Sequence, residues 1–362
     1  MEFKPIKYME WMKTKGHAKY NLCPSGVSSL SLKELGVGIE DLEIYGENSY
    51  GYLPLIEAIA NKYQVHEDNV MLAIGTSFAL FLVCALLLNQ GERARVLVER
   101  PAYEPLWAVP QAFGGQIVRL DRGYGQGYAF DLDEFEKHLS ENVKFVLLTN
   151  LHNPSGVSLS TSMLKEMAEA ANKKGVFLVI DEVYLEFLDG EAGRTSFHLA
   201  DNIIVISSLT KVFGLAGLRC GWILAPPEIV GKMKIFLDYS LVEGVFIGEL
   251  ISSKMFDQLA SIKLRKKERI HQNVNLIKSF IESESRLTWI EPSGGIICFP
   301  RIETGLSGDE LAKILREDFD TAIIPGRLFE SPQHFRLGMD VEPFVLAEVL
   351  EQIRDVLARY AG

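Results

Sequence analysis

The stretch Ser207-Ser-Leu-Thr-Lys-Val-Phe-Gly-Leu-Ala-Gly-Leu-Arg-Cys-Gly-Trp222 follows the apolar run 203–206, so a lysine comes directly after a strand, inside a glycine-rich turn. That position is the carboxyl edge of a parallel sheet, where ligands of α/β proteins bind. An amine buried there, or flanked by cations, loses its proton readily and becomes a Schiff-base nucleophile. Ser208 precedes Lys211 and Arg219 follows it, so a hydroxyl and a guanidinium can grip one phosphate group. Together the three residues point to a phosphate-bearing aldehyde.

Outward from this segment, short β-rich runs at 71–74, 95–99, 116–120, 143–149, 176–180, 203–207 and 221–225 alternate with helix candidates at 77–90, 104–113, 132–139 and 162–174. Such alternation is the signature of βαβ units on a mostly parallel sheet. After Pro226 and Pro227 the texture changes to one long helical stretch, 243–282, then short strands at 287–290, 295–300, 322–324 and 334–339 mixed with helices near 308–316 and 342–360. The expected architecture is a three-layer αβα large domain over 50–242 and a smaller α+β domain. The latter joins an N-terminal segment, 1–49, to residues 243–362. The basic run Lys263-Leu-Arg-Lys-Lys-Glu-Arg269 reads as a solvated helix face. Gly123-Tyr-Gly-Gln-Gly127 lacks the G-x-G-x-x-G spacing of a nucleotide loop and reads as a surface hairpin.

Composition narrows the partners. Of 362 residues 48% are hydrophobic, enough for a large core. A net charge of −11 speaks against broad contact with nucleic acid or an anionic membrane. The longest apolar run, 78–88, falls well short of the roughly 20 residues that span a bilayer. The first nineteen residues lack the apolar core of a signal peptide, so a cytoplasmic location is expected. Cys23, Cys84, Cys220 and Cys298 are scattered, with no C-x-x-C pair and no histidine pairs at zinc spacing, and read as reduced thiols outside any metal site.

The lysine segment resembles the lysine motif of the class I/II, fold type I pyridoxal-phosphate-dependent aminotransferases: Ser-x-Ser/Thr-Lys, an aromatic residue, then Gly-x-x-Gly-x-Arg-x-Gly. The resemblance implies pyridoxal 5'-phosphate held by Lys211 as an aldimine, with Ser208 and Arg219 on the phosphate. Other segments agree in chain order. Asp181 in Asp181-Glu-Val-Tyr184 closes an apolar strand, and a buried carboxylate is costly unless it meets a cation. The resemblance makes the pyridinium N–H that cation, with Tyr184 donating a hydrogen bond to the ring hydroxyl. Asn153-Pro-Ser-Gly156, in isolation an ordinary turn, is similar to the family element whose asparagine binds the ring oxygen from the other side. Adjacent His152 reads as a packing residue.

Gly75-Thr-Ser77 lies between a strand and the apolar helix, where free N–H groups and the helix dipole form a phosphate cradle. Capping by the hydroxyl of Thr76 or Ser77 is the plainer alternative and is compatible with it. By resemblance Tyr103 stacks on the pyridine ring, Arg336 clamps the substrate's α-carboxylate, and Gly26 sets backbone beside the substrate. Tyr45 is similar to the tyrosine that reaches the neighbouring subunit's cofactor phosphate, although its spacing to Gly51 is one residue longer than the commonest pattern and Tyr50 competes for the role. Two departures stand out: serine replaces threonine after Asn153-Pro, and no second arginine marks a dicarboxylic substrate. The implied activity moves an amino group between an L-amino acid and a 2-oxo acid in a homodimer. Decarboxylases, β/γ-lyases and cyclising enzymes share these motifs and form the first alternative; a non-catalytic cofactor-binding regulator forms the second.

Overall fold

Strand sequences such as Val143-Lys-Phe-Val-Leu-Leu-Thr149 are apolar on both faces, which suits a sheet covered by helices on either side. The computed structural model describes residues 3–88, 94–140 and 142–360. After helix α1 (Lys7–Lys15), strand β1 (Tyr20–Asn21) and helix α2 (Leu53–Tyr63) come β2 (Val70–Ala73), α3 (Thr76–Leu87), β3 (Arg95–Arg100), α4 (Pro105–Ala112), β4 (Gln116–Asp121) and α5 (Leu132–His138). Then follow β5 (Val143–Thr149), α6 (Thr161–Asn172), β6 (Phe177–Asp181), β7 (Ile203–Ser208), β8 (Gly221–Leu224), α7 (Pro227–Leu237), α8 (Phe246–Met255) and α9 (Leu259–Ser283). The remainder is β9 (Leu287–Thr288), β10 (Ile297–Cys298), β11 (Arg301–Ile302), α10 (Gly308–Phe319), β12 (Thr321–Ala322), β13 (Ile324–Pro325), β14 (Phe335–Gly338) and α11 (Pro343–Arg359).

Seven strands form one sheet in the order β2-β8-β7-β6-β5-β3-β4. Neighbours from β7 through β4 pair in parallel, while β8 runs against both β7 and β2. The sheet is therefore mostly parallel, as expected. Alternate residues feed two cores: Val146 and Leu148 join Leu164 and Met167 of α6 on one face, and Phe145 and Leu147 join Leu80 and Val83 of α3 on the other. A third core gathers Leu311 and Leu315 of α10 with Leu346 and Ile353 of α11 around β10-β14-β13. Helix α9 crosses between cores, burying Ile262 and Ile270 in the first and Ile277 and Phe280 in the third.

Four local expectations need correction or limits. The stretch 243–282 is not one helix; a 3-10 turn, Phe256–Gln258, separates α8 from α9. Gly123 to Gly127 is not a hairpin but a short 3-10 turn, Tyr124–Gln126, because β4 pairs only with parallel β3 and the chain must travel on to α5. The basic run on α9 is not simply solvated: Lys263 and Lys267 both meet Asp189, while Arg269 is paired with Asp340 and Glu342. The expected end of the helix at 89–90 lies outside the described residues. Among the described residues no helix is long and apolar enough to cross a membrane. All four cysteines are free and buried.

Candidate active site

Parallel strands aim their carboxyl ends at one edge of the sheet, and there the cavity opens. It has a volume of about 480 Å³, and its wall includes Thr76, Ser77, Tyr103, Asn153, Asp181, Tyr184, Ser208, Lys211, Arg219 and Gly26. Residues from six separate segments of sequence thus converge, most of them because the strands of the parallel sheet end on the same side. Gly75 adjoins this wall, and its added Cβ would stand 2.6 Å from the Arg219 guanidinium. Arg336 lies just behind it, fully buried, donating to Asn153 Oδ1 at 3.1 Å.

Lys211 follows β7 and is half-buried; its Nζ donates to Ser25 Oγ at 3.1 Å. Burial, and then the nearby Arg336 guanidinium, bring its amine down to about 8, against the pull of Asp181. Asp181 ends β6 and accepts from the Val183 N–H at 3.0 Å. Burial pushes its carboxyl up to about 7. Its strand neighbour Glu182 turns away, accepting from the Ser196 N–H at 2.8 Å. Tyr184 is buried beside Ser25, and its hydroxyl completes no hydrogen bond among the described residues.

Across the sheet edge, Thr76 Oγ1 meets Ser208 Oγ at 2.9 Å. Gly75, at φ +93°, is the N-cap of α3, and no side chain caps the helix. The capping alternative for Thr76 and Ser77 therefore falls; the Phe78 and Ala79 N–H groups donate to the Gly75 carbonyl at 3.2 and 3.1 Å, and those of Thr76 and Ser77 are left to face a ligand. Arg219 is held by the carbonyls of Ile74 and Ala216 at 2.9 and 3.1 Å. Gly221 sits between Ala73 and Ser208 in the ladder, and a Cβ there would press to 2.8 Å on the Gly75 backbone. The glycine spacing of the lysine segment thus lets β2, β7 and β8 close up around the cradle. A desolvated carboxylate, an unpartnered buried phenol and an uncapped helix N-terminus beside an arginine fit a ring cation, a ring oxygen and a phosphate.

Other residues fall in different places. Tyr103 is half-buried, 4.9 Å edge-on from Tyr8, and lines the cavity. Gly26 packs on Lys211, and the next N–H, that of Val27, donates to the Lys211 carbonyl at 2.8 Å. Tyr45 is 86% exposed and outside its own chain's cavity wall, whereas Tyr50 bonds Asp238 of its own chain. His152 is buried and bonds Ser155 and the Pro101 carbonyl, locking the Asn153 turn as a packing residue would. Tyr8, Ser25 and Thr149 also line the cavity. Sequence reasoning missed Tyr8, which nothing in the first nineteen residues distinguishes. Thr149 carried a usable signal, a polar residue closing an apolar strand, as at Asp181.

The model of "Aminotransferase class I and II" matches residues 39–353. The chain belongs to that family. Its members are pyridoxal-phosphate-dependent transferases, so the fold and enzyme class implied by the lysine segment hold. It is 26% identical over 331 residues to aromatic-amino-acid aminotransferase 2 of Thermococcus litoralis, covering 85% of this chain and 82% of that one. It is also 24% identical to capreomycidine synthase of Streptomyces vinaceus, covering 97% and 93%. A crystal structure of a pyridoxal-phosphate-dependent aminotransferase from Streptococcus suis superposes over the full length of both chains with a TM-score of 0.91 at 24% identity. That likeness concerns the fold.

Proposed function

We propose that this chain binds pyridoxal 5'-phosphate at Lys211 and exchanges amino groups between an L-amino acid and a 2-oxo acid. The observation that carries the reading is the convergence of a low-pKa lysine, a buried carboxylate and an unpartnered phenol on one cavity, with a buried arginine behind. Asp181 would face the ring nitrogen, Tyr184 and Asn153 the ring oxygen, and Tyr103 the ring face. Thr76, Ser77, Ser208, Arg219 and the first turn of α3 would hold the phosphate. When bound, the cofactor supplies an electron sink for the pair left at the substrate's Cα.

The chain's own residues do the rest. Arg336 receives the substrate α-carboxylate, and Gly26 leaves room for backbone beside it. Lys211 Nζ, with an amine near 8, would take the proton from Cα and pass it to the cofactor's C4′, while Ser25 Oγ steadies the amine in between. Asp181 stays ionised once a cation faces it, because the cation offsets the burial that otherwise raises its pKa.

A homodimer is part of the proposal. Ile39, Ile44 and Tyr45 are more than four-fifths exposed, as is Tyr239, and Val242 adds to this apolar surface. Covering it with a second copy would take Tyr45 to the neighbour's phosphate. Four unpaired cysteines are consistent with a cytoplasmic setting. Cyclisation, one of the alternatives that share these motifs, is the second reading. Borohydride reduction of the cofactor-loaded protein, followed by peptide mapping, should place the pyridoxyl label on Lys211. A label on any other lysine refutes the assignment.

A further inference from the structure

At the carboxyl edge of the sheet, adjacent strands β4, β3, β5 and β6 bring together Arg122, Glu99, Thr149 and Asp181 in that spatial order. Of the four only Asp181 has a place in the reading above. Glu99 and Arg122 form an ion pair at 2.6 Å with neither side chain exposed. Burying such a pair about breaks even against apolar residues of similar volume, so stability alone does not account for it.

The pair holds Thr149 by three atoms. Glu99 Oε1 accepts from the Thr149 N–H at 2.9 Å and from its hydroxyl at 2.5 Å, and Arg122 donates to the Thr149 carbonyl at 3.2 Å. Arg122 is itself anchored on the Tyr128 carbonyl at 2.8 Å. With its proton committed to Glu99, the Thr149 hydroxyl accepts from the Asn153 N–H at 3.0 Å. Asn153 Oδ1 in turn accepts from Arg336. A continuous chain of bonds therefore runs from the buried ion pair to Arg336, the arginine proposed above for the substrate carboxylate. Only a carboxylate can serve at position 99, because it accepts on both oxygens. A glutamine there would turn a donor either at Arg122 or at Thr149, both of which are donors already.

We propose that Glu99 and Arg122 are positioning residues that act through Thr149 to set Asn153, and through it Arg336, toward the substrate carboxylate. The proposal rests on the aminotransferase reading of the site. Its test compares Glu99→Gln and Thr149→Val, each alone and in an Asn153→Ala background, as cofactor-loaded enzyme. Each should raise KM for the amino donor about tenfold while kcat changes less than about threefold. Each should also shift the pH midpoint of the holoenzyme's visible absorbance band. In the Asn153→Ala background neither should add to that rise, since the path through Asn153 is already cut.

A lowered melting temperature with wild-type KM and absorbance midpoint would overturn the proposal, as would an equally large KM rise in the Asn153→Ala background. Should Glu99→Gln yield no folded protein, Thr149→Val decides by the same criteria, because it leaves the ion pair in place. A wild-type holoenzyme that reacts with no amino donor would instead overturn the underlying reading of the site.

Discussion

Lys211 and Asp181 titrate toward each other, the amine brought down to about 8 and the carboxyl pushed up to about 7, and burial is the leading cause of both. For Asp181 the consequence for stability has a definite sign. A carboxyl whose folded pKa exceeds its unfolded value binds its proton more tightly in the folded state, so stability falls as pH rises from about 4 to 7. Asp181→Asn should remove that part of the loss. In the cofactor-free protein, the melting temperature of the variant should gain on wild type across this window and level off above it. A difference that is flat with pH, measured by calorimetry, would show that Asp181 is not desolvated. Asp181 was legible in sequence because a carboxylate that ends an apolar strand needs a partner. The unpartnered Tyr184 hydroxyl was not, since orphaned groups are revealed only by packing.

At the scale of elements, the parallel strands were legible because their residues are apolar on both faces, and every expected strand of the sheet formed within a residue or so. Helix α1 was not legible. Its buried face amounts to Tyr8, whose neighbours Arg336, Tyr103 and Phe329 come from distant segments. The strand-to-helix turn at Gly75 is where backbone geometry and ligand chemistry meet. Gly75→Ala would force φ +93° on an L-residue and press a methyl against Arg219. We expect a stability loss of about 1–3 kcal/mol and a cofactor dissociation constant raised at least about tenfold. Equilibrium dialysis with pyridoxal phosphate checks this, and unchanged affinity would count against the cradle.

Across the whole molecule, α9 joins the core of the sheet to that of the C-terminal part, and its basic residues Lys263, Arg269 and Lys278 are tied to Asp189, Asp340 and Glu291 along its length. We propose residues 50–242 as the cofactor-binding unit and 1–49 with 243–362 as the second, with α9 as the element they share. In the proposed homodimer the exposed apolar residues around Tyr45 would lie at the interface. Tyr45→Phe should weaken cofactor binding about tenfold. A hybrid dimer of Tyr45→Phe and Lys211→Ala subunits should nevertheless carry one site of wild-type affinity, since each site would borrow its tyrosine from the other chain. A hybrid with only the weakened affinity would put Tyr45 in its own site. Specificity stayed illegible in sequence because the cavity wall is assembled from residues far apart along the chain, such as Tyr8, Ser25 and Thr149, that only folding brings together.

The exchange of amino groups is tested most directly by mixing cofactor-loaded protein with single L-amino acids and following the visible absorbance band together with the released acid by mass spectrometry. The account predicts stoichiometric loss of the band with formation of the matching 2-oxo acid, and recovery of the band on adding a 2-oxo acid. Release of carbon dioxide or a cyclised product, without recovery by any 2-oxo acid, would contradict it.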